Sequence, residues 1–177
     1  GDLRQPLAVH VEQRLDELAG LEARLGGDDG GGPRLVALCG LGGAGKTSVA
    51  LEYAHRQLGQ VGVAWQLPAE DPAVLAAGFG ELAAQLGAAD RGYPVAAVHG
   101  VLAASPASWL LIFDNADRAA DIAPWLPTGP MPPGAPGHVI VTTRRAGFAA
   151  MGQVLELDVI GVQDAVRMLR ARVPGLD

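Results

Sequence analysis

The chain has 177 residues, 49% of them hydrophobic, which suits one globular domain with a substantial buried core. Its 13 basic and 19 acidic residues give a formal charge of −6, and the basic residues are scattered, so no nucleic-acid-binding face is indicated. No apolar stretch approaches the roughly 18 residues that a membrane-spanning helix needs, so no membrane partner is predicted.

The cysteine content and the ends of the chain predict a cytoplasmic fragment. A single cysteine, Cys39, cannot form an internal disulfide, and no charged-then-apolar leader opens the chain. Because the start at Gly1 and the end at Asp177 look like cuts, we expect a piece of a longer protein that is monomeric in isolation.

The first predicted element is an amphipathic helix over residues 14–25. Leucines recur there at spacings of three and four, and charged residues occupy the opposite face. The glycine-rich run 26–33 has no apolar side chains to offset the entropy of ordering, so it is predicted to be a surface linker. Residues 1–33 are therefore taken as an N-terminal helical segment with its linker, and 34–177 as the main domain.

Beyond the linker, apolar strand patterns alternate with helical ones. Residues 34–39 are apolar after Arg34 and are followed at once by glycines, as in a parallel strand buried on both faces. Strands joined by helical crossovers imply an α/β fold, a parallel sheet between two layers of helices. The predicted strands are 34–39, 61–67, 109–113, 138–142 and 154–157, and the predicted helices are about 45–59, 72–86, 94–104, 118–123 and 162–172.

The segment from Gly40 to Thr47 fits the phosphate-binding pattern G-x-x-x-x-G-K-[ST] without a mismatch. It lies between a predicted strand and a predicted helix, as the mechanism requires. Glycines let the backbone wrap closely around a polyphosphate, with N–H groups and the helix N-terminus directed at the anion. The residues predicted to cradle phosphates are Gly42, Gly43, Ala44, Gly45, Lys46, Thr47 and Ser48.

Two side chains of this segment carry specific roles. Lys46 is the only lysine in the chain, and its compact ammonium suits the β- and γ-phosphates of a nucleotide. The Thr47 hydroxyl would enter the coordination shell of Mg²⁺, which prefers hard oxygen ligands. The alternative is a glycine-rich turn that caps a helix and binds nothing.

Polar residues at two later strand ends complete the predicted site. Asp114 follows the apolar strand 109–113 and would hold Mg²⁺ directly or through water, unless it is an ordinary turn aspartate. Asn115 is an amide, which can orient a water but cannot accept its proton, so hydrolysis should be slow or use a base from elsewhere. Arg144 follows the strand 138–142 and would contact the terminal phosphate, the alternative being a solvated charge.

Together these segments resemble the NB-ARC branch of the signal-transduction ATPases (STAND class), the switch modules of apoptotic, plant-immune and bacterial regulators. The resemblance rests on residues 38–47, 63–67, 110–117 and 139–144. Upstream, Val11 and Arg14 match the family's adenine-contacting segment, although Gln13 stands where glycine is usual.

The resemblance implies a P-loop nucleotide-binding domain over residues 34–177 with a five-stranded core. In that core the strand ending at Thr142 lies between the phosphate-loop strand and the strand ending at Asp114. It further implies ATP and ADP as ligands with Mg²⁺, an ADP-bound resting state that exchanges with an ATP-bound assembling state, and other domains of the parent protein as partners. Many relatives have a second aspartate where this chain has Asn115.

Two other functions compete with a nucleotide-operated switch that has weak ATPase activity. Asn115 favours a module that holds ADP structurally and serves as an interaction scaffold without turnover. A GTPase or small-molecule kinase is disfavoured, because the chain has no Asn-Lys-x-Asp guanine-binding motif. Trp125, flanked by prolines, either anchors a neighbouring domain or holds its own loop.

Overall fold

The computed structural model describes residues 15–27, 31–90 and 92–158. The predicted helix 162–172 and the candidate residues Val11 and Arg14 lie outside them. In chain order the elements are α1 Leu15–Leu25, β1 Arg34–Cys39, α2 Lys46–Gln57, β2 Val63–Pro68, α3 Pro72–Gln85, α4 Pro94–Ala104, β3 Trp109–Ala116, α5 Ala119–Ile122, a 3-10 turn Ala123–Trp125, β4 Gly137–Thr143 and β5 Gln153–Glu156.

The strands form one parallel sheet in the order β2-β3-β4-β1-β5. This confirms the predicted α/β class and the position of β4 between β1 and β3. Cys39 at the end of β1 is in register with Thr143 of β4, and Phe113 of β3 with Val141 of β4. The carboxyl ends of these three strands therefore lie side by side, at the edge where ligands bind in open α/β sheets.

Both faces of the sheet are buried, which explains the continuous apolar runs in the sequence. Successive residues of β3 alternate between two cores. Leu111 and Phe113 pack with α3 and α4, whereas Leu110 and Ile112 pack with α1 and α2. None of the helices in the described ranges is both long and apolar enough to span a bilayer.

The third strand differs from its prediction, because it continues past Asp114 to Ala116. Asn115 adopts a left-handed backbone conformation with a φ of 61°, and the pairing with β4 shifts between Phe113 and Ala116. This irregularity interrupts the pairing with β4 at residues 114 and 115, while Asp114 stays paired with Pro68 of β2, and Ala116 pairs again with Thr143 of β4. Asparagine is one of the few residues that tolerate this conformation.

The ring of Trp125 packs on the domain's own helices. The centre of this ring lies 5.3 Å from the centre of the Phe79 ring of α3. The backbone carbonyl oxygen of Trp125 lies 2.9 Å from Nε2 of His99 on α4. These contacts attach the 3-10 turn to the α3 and α4 layer.

The pairing of Gly137 with Trp109 gives a stability prediction. A Cβ at Gly137 would meet the Trp109 indole, with Cη2 only 2.7 Å away, and that ring is fully buried. Because the ring has no room to move, Gly137→Ala should lower the free energy of unfolding by about 1–3 kcal/mol in urea denaturation.

Gly100 provides the matched control for this substitution. It lies on the exposed side of α4, with no atom near the position of a Cβ. Gly100→Ala should raise the free energy of unfolding by about 1 kcal/mol or less, because alanine favours the helix. Equal effects of the two substitutions would contradict the proposed steric conflict at Trp109.

Candidate functional site

The loop between β1 and α2 has the backbone geometry of an anion-binding turn. Gly43 and Gly45 both have a φ of 80°, a left-handed conformation that favours glycine. Helix α2 begins at Lys46, and no side chain caps its N-terminus. The N–H groups of a first helical turn have no partner within the helix, and the helix dipole places partial positive charge there. The N-terminal end of α2 is therefore suited to binding a phosphate group.

Lys46 lies inside this loop with only 8% of its surface exposed. Its Nζ donates hydrogen bonds to the carbonyl oxygens of Gly40 and Leu41, both at 2.8 Å. Burial lowers the pKa of Lys46, the nearby positive charge of Arg144 lowers it further, and the Asp114 carboxylate acts in the opposite direction. The structure thus holds the Lys46 ammonium against the carbonyl oxygens of the loop.

Thr47 and Asp114, 67 residues apart in sequence, are in direct contact. The Thr47 hydroxyl on the first turn of α2 donates to Oδ1 of Asp114 at 2.7 Å. A hydroxyl that donates its proton keeps its oxygen lone pairs, and the carboxylate supplies further oxygens. Hydroxyl and carboxylate oxygens are the ligands that Mg²⁺ prefers, so this pair fits the cation that the sequence predicts.

Two further residues contact Asp114, and sequence reasoning had given neither a role. The Thr142 hydroxyl, at the end of β4, donates to Oδ1 of Asp114 at 2.6 Å and accepts from the backbone N–H of Asn115 at 2.8 Å. Gln66 of β2 donates from Nε2 to Oδ2 of Asp114 at 3.0 Å. We call Thr47, Gln66, Asp114 and Thr142 the Asp114 cluster.

A sequence pattern could have indicated both residues. Each is a polar side chain near the end of an otherwise apolar strand, and parallel strands end at the same edge of a sheet. The left-handed backbone at Asn115 depends on one of them, since Thr142 is the partner of its N–H group.

The two arginines that follow β4 point to different partners. The guanidinium of Arg144 lies over the glycine loop, and its Cζ is 3.6 Å from where a Cβ of Gly42 would be. Arg145 instead forms an exposed ion pair with Asp117, at 2.6 Å from Nε to Oδ1. Of the two, Arg144 is therefore the one placed beside the loop.

Cys39 at the end of β1 is buried, and burial, reinforced by the charge of Glu156, raises the pKa of its thiol despite the opposing charge of Lys46. It therefore lies in the core as a small apolar residue. Within the described ranges, no group of three or more histidine, cysteine, aspartate or glutamate side chains is arranged to hold a metal ion.

The parallel five-stranded sheet, with helices on both faces, defines a three-layer α/β fold. Among solved structures, the chain is similar to a Signal Transduction ATPase with Numerous Domains (STAND) protein with a tetratricopeptide repeat sensor from Pyrococcus horikoshii. The TM-score is 0.53 and the sequence identity 17%, over 100% of this chain and 28% of that one. At this identity the similarity shows a shared fold. No protein-family model matches the chain, and no curated protein matches it.

The Asp114 cluster leads to a prediction about Thr142, which is 1% exposed. Thr142→Val keeps the branched shape but removes the hydroxyl, leaving the Asn115 N–H without its partner. We expect the free energy of unfolding to fall by about 1–3 kcal/mol in urea denaturation without nucleotide.

Thr142→Ser is the control, because it keeps the hydroxyl and loses one methyl group. It should cost no more than about 1 kcal/mol. A valine variant as stable as the wild type would show that the hydroxyl contributes nothing to the strand end.

Proposed function

We propose that this domain is an ATP- and ADP-binding signalling switch of the STAND class, NB-ARC type, with weak ATPase activity. The observation that carries the proposal is the buried Lys46 ammonium in a glycine loop at the start of α2, directly beside the Thr47–Asp114 pair. A positive charge, a helix N-terminus and hard oxygen ligands are what a magnesium-bound polyphosphate requires.

Each residue of the site has a role in this proposal. Gly42 to Ser48 hold the phosphates through backbone N–H groups, and Lys46 exchanges its loop carbonyls for phosphate oxygens. Thr47 and Asp114 would hold Mg²⁺, whose charge would neutralise phosphate oxygens when it is bound. Arg144, which lies over the loop, senses the terminal phosphate of ATP.

Slow turnover follows from the chemistry of Asn115. Its amide follows Asp114, where it can orient a water molecule but cannot accept a proton. The same observation favours a second candidate function, a module that holds ADP as a structural ligand without turnover. In both cases we propose that other domains of a larger parent protein are the partners, and that Val11 and Arg14 contact the adenine.

Substitution of the lysine tests nucleotide binding. Lys46→Ala removes the charge-assisted hydrogen bonds to phosphate, so ADP affinity measured by calorimetry should fall by about 100-fold or more, with an unchanged circular dichroism spectrum.

Arg56→Ala is the matched control for charge. Arg56 lies on the last turn of α2, where it is exposed and paired with Glu52. The substitution removes one positive charge from the same helix, far from the loop, and should leave ADP affinity unchanged. Unchanged affinity in Lys46→Ala itself would refute the proposed site.

Phosphate release separates the switch from the ADP-holding module. With ATP and Mg²⁺, the wild-type domain should release inorganic phosphate slowly but above the level of Lys46→Ala. Release equal to that of the variant, in a protein that still binds ADP, would favour the module without turnover.

A further inference from the structure

We infer that Gln66 is a positioning residue for magnesium-dependent nucleotide binding, acting from the edge strand β2 by fixing the orientation of the Asp114 carboxylate. The inference rests on the proposed function and deepens it. Its basis is the 3.0 Å hydrogen bond from Nε2 of Gln66 to Oδ2 of Asp114.

The alternation of β2 places Gln66 on the same face of the sheet as Asp114. Trp65 and Leu67, on either side of it, pack into the core formed with α3 and α4. Gln66 is in register with Ile112, two residues before Asp114, and Ile112 belongs to the core of the opposite face. Gln66 is half-buried on this face, and its amide finds a polar partner in Asp114.

The hydrogen bonds of Asp114 show what Gln66 adds. An ionised carboxylate only accepts hydrogen bonds, so the group of Gln66 that faces it is the amide nitrogen. Oδ1 accepts from both Thr47 and Thr142, at 2.7 and 2.6 Å, whereas Gln66 donates to Oδ2. The terminal torsion of an aspartate side chain has a broad distribution of angles. A donor on Oδ2 restricts the rotation that would exchange Oδ1 and Oδ2.

The orientation of Asp114 in turn determines that of the Thr47 hydroxyl. With Oδ1 held against Thr47, the hydroxyl proton points to the carboxylate and its lone pairs are free for a cation. Gln66 therefore acts on the magnesium ligands through Asp114, as residues behind metal ligands do when they orient them.

The test measures ATP affinity by calorimetry, once with excess Mg²⁺ and once with EDTA. The readout is the ratio of the affinity with Mg²⁺ to the affinity with EDTA. Gln66→Met keeps the length of the side chain without its donor, and should lower this ratio about tenfold or more while leaving the affinity in EDTA unchanged. Gln85→Met, at the exposed end of α3, is the control and should change neither affinity.

The outcomes distinguish this inference from the proposed function. The inference alone would be overturned if Gln66→Met kept the wild-type ratio, or if it lost ATP affinity equally with Mg²⁺ and with EDTA. A wild-type domain that binds ATP equally with and without Mg²⁺ would also overturn it. A wild-type domain that binds no nucleotide would overturn both. Should Gln66→Met not fold, Gln66→Asn, which keeps the amide but shortens its reach, should lower the same ratio.

Discussion

The hydrogen bond between Thr47 and Asp114 joins the two halves of the site. One half is the glycine loop with the first turn of α2, and the other is the irregular end of β3. Neither half is sufficient by itself for the proposed site. The loop supplies backbone N–H donors and the Lys46 ammonium, and the strand end supplies the carboxylate oxygens of Asp114. Their contact depends on the strand order, because β4 between β1 and β3 sets the separation that the two side chains must span. The proposed nucleotide chemistry therefore depends on the topology of the sheet.

Burial of the sheet on both faces determines where polar chemistry can occur. Strands covered by helices on each side are apolar along most of their length, so polar side chains collect at the strand ends. At this edge, Asp114 is surrounded by donors from three other elements, namely α2, β2 and β4. A carboxylate with this number of donors is held in one orientation before any ligand arrives, which reduces the reorganisation that binding requires.

Local patterns in the sequence were sufficient for most of the fold. The strand Arg34–Cys39 and the helix Pro94–Ala104 have the predicted bounds, because an apolar run ended by glycines and a proline at a helix start are local features. The glycine loop between β1 and α2 was predictable for the same reason. The extension of β3 was missed because it depends on the bond between Thr142 and the Asn115 N–H, which joins residues 27 apart. The contact of Gln66 with Asp114 was missed because it joins residues 48 apart on two different strands.

The left-handed backbone at Asn115 also has an evolutionary consequence. Asparagine, aspartate and glycine are the residues that accept this conformation at low cost, so few side chains can replace Asn115 without distorting the strand end. Among them, aspartate differs from asparagine only in having oxygen in place of the amide nitrogen. A single substitution can therefore install an acid beside Asp114 with the main chain unchanged. Under the proposed function, gain or loss of a hydrolytic base at this position would take one substitution.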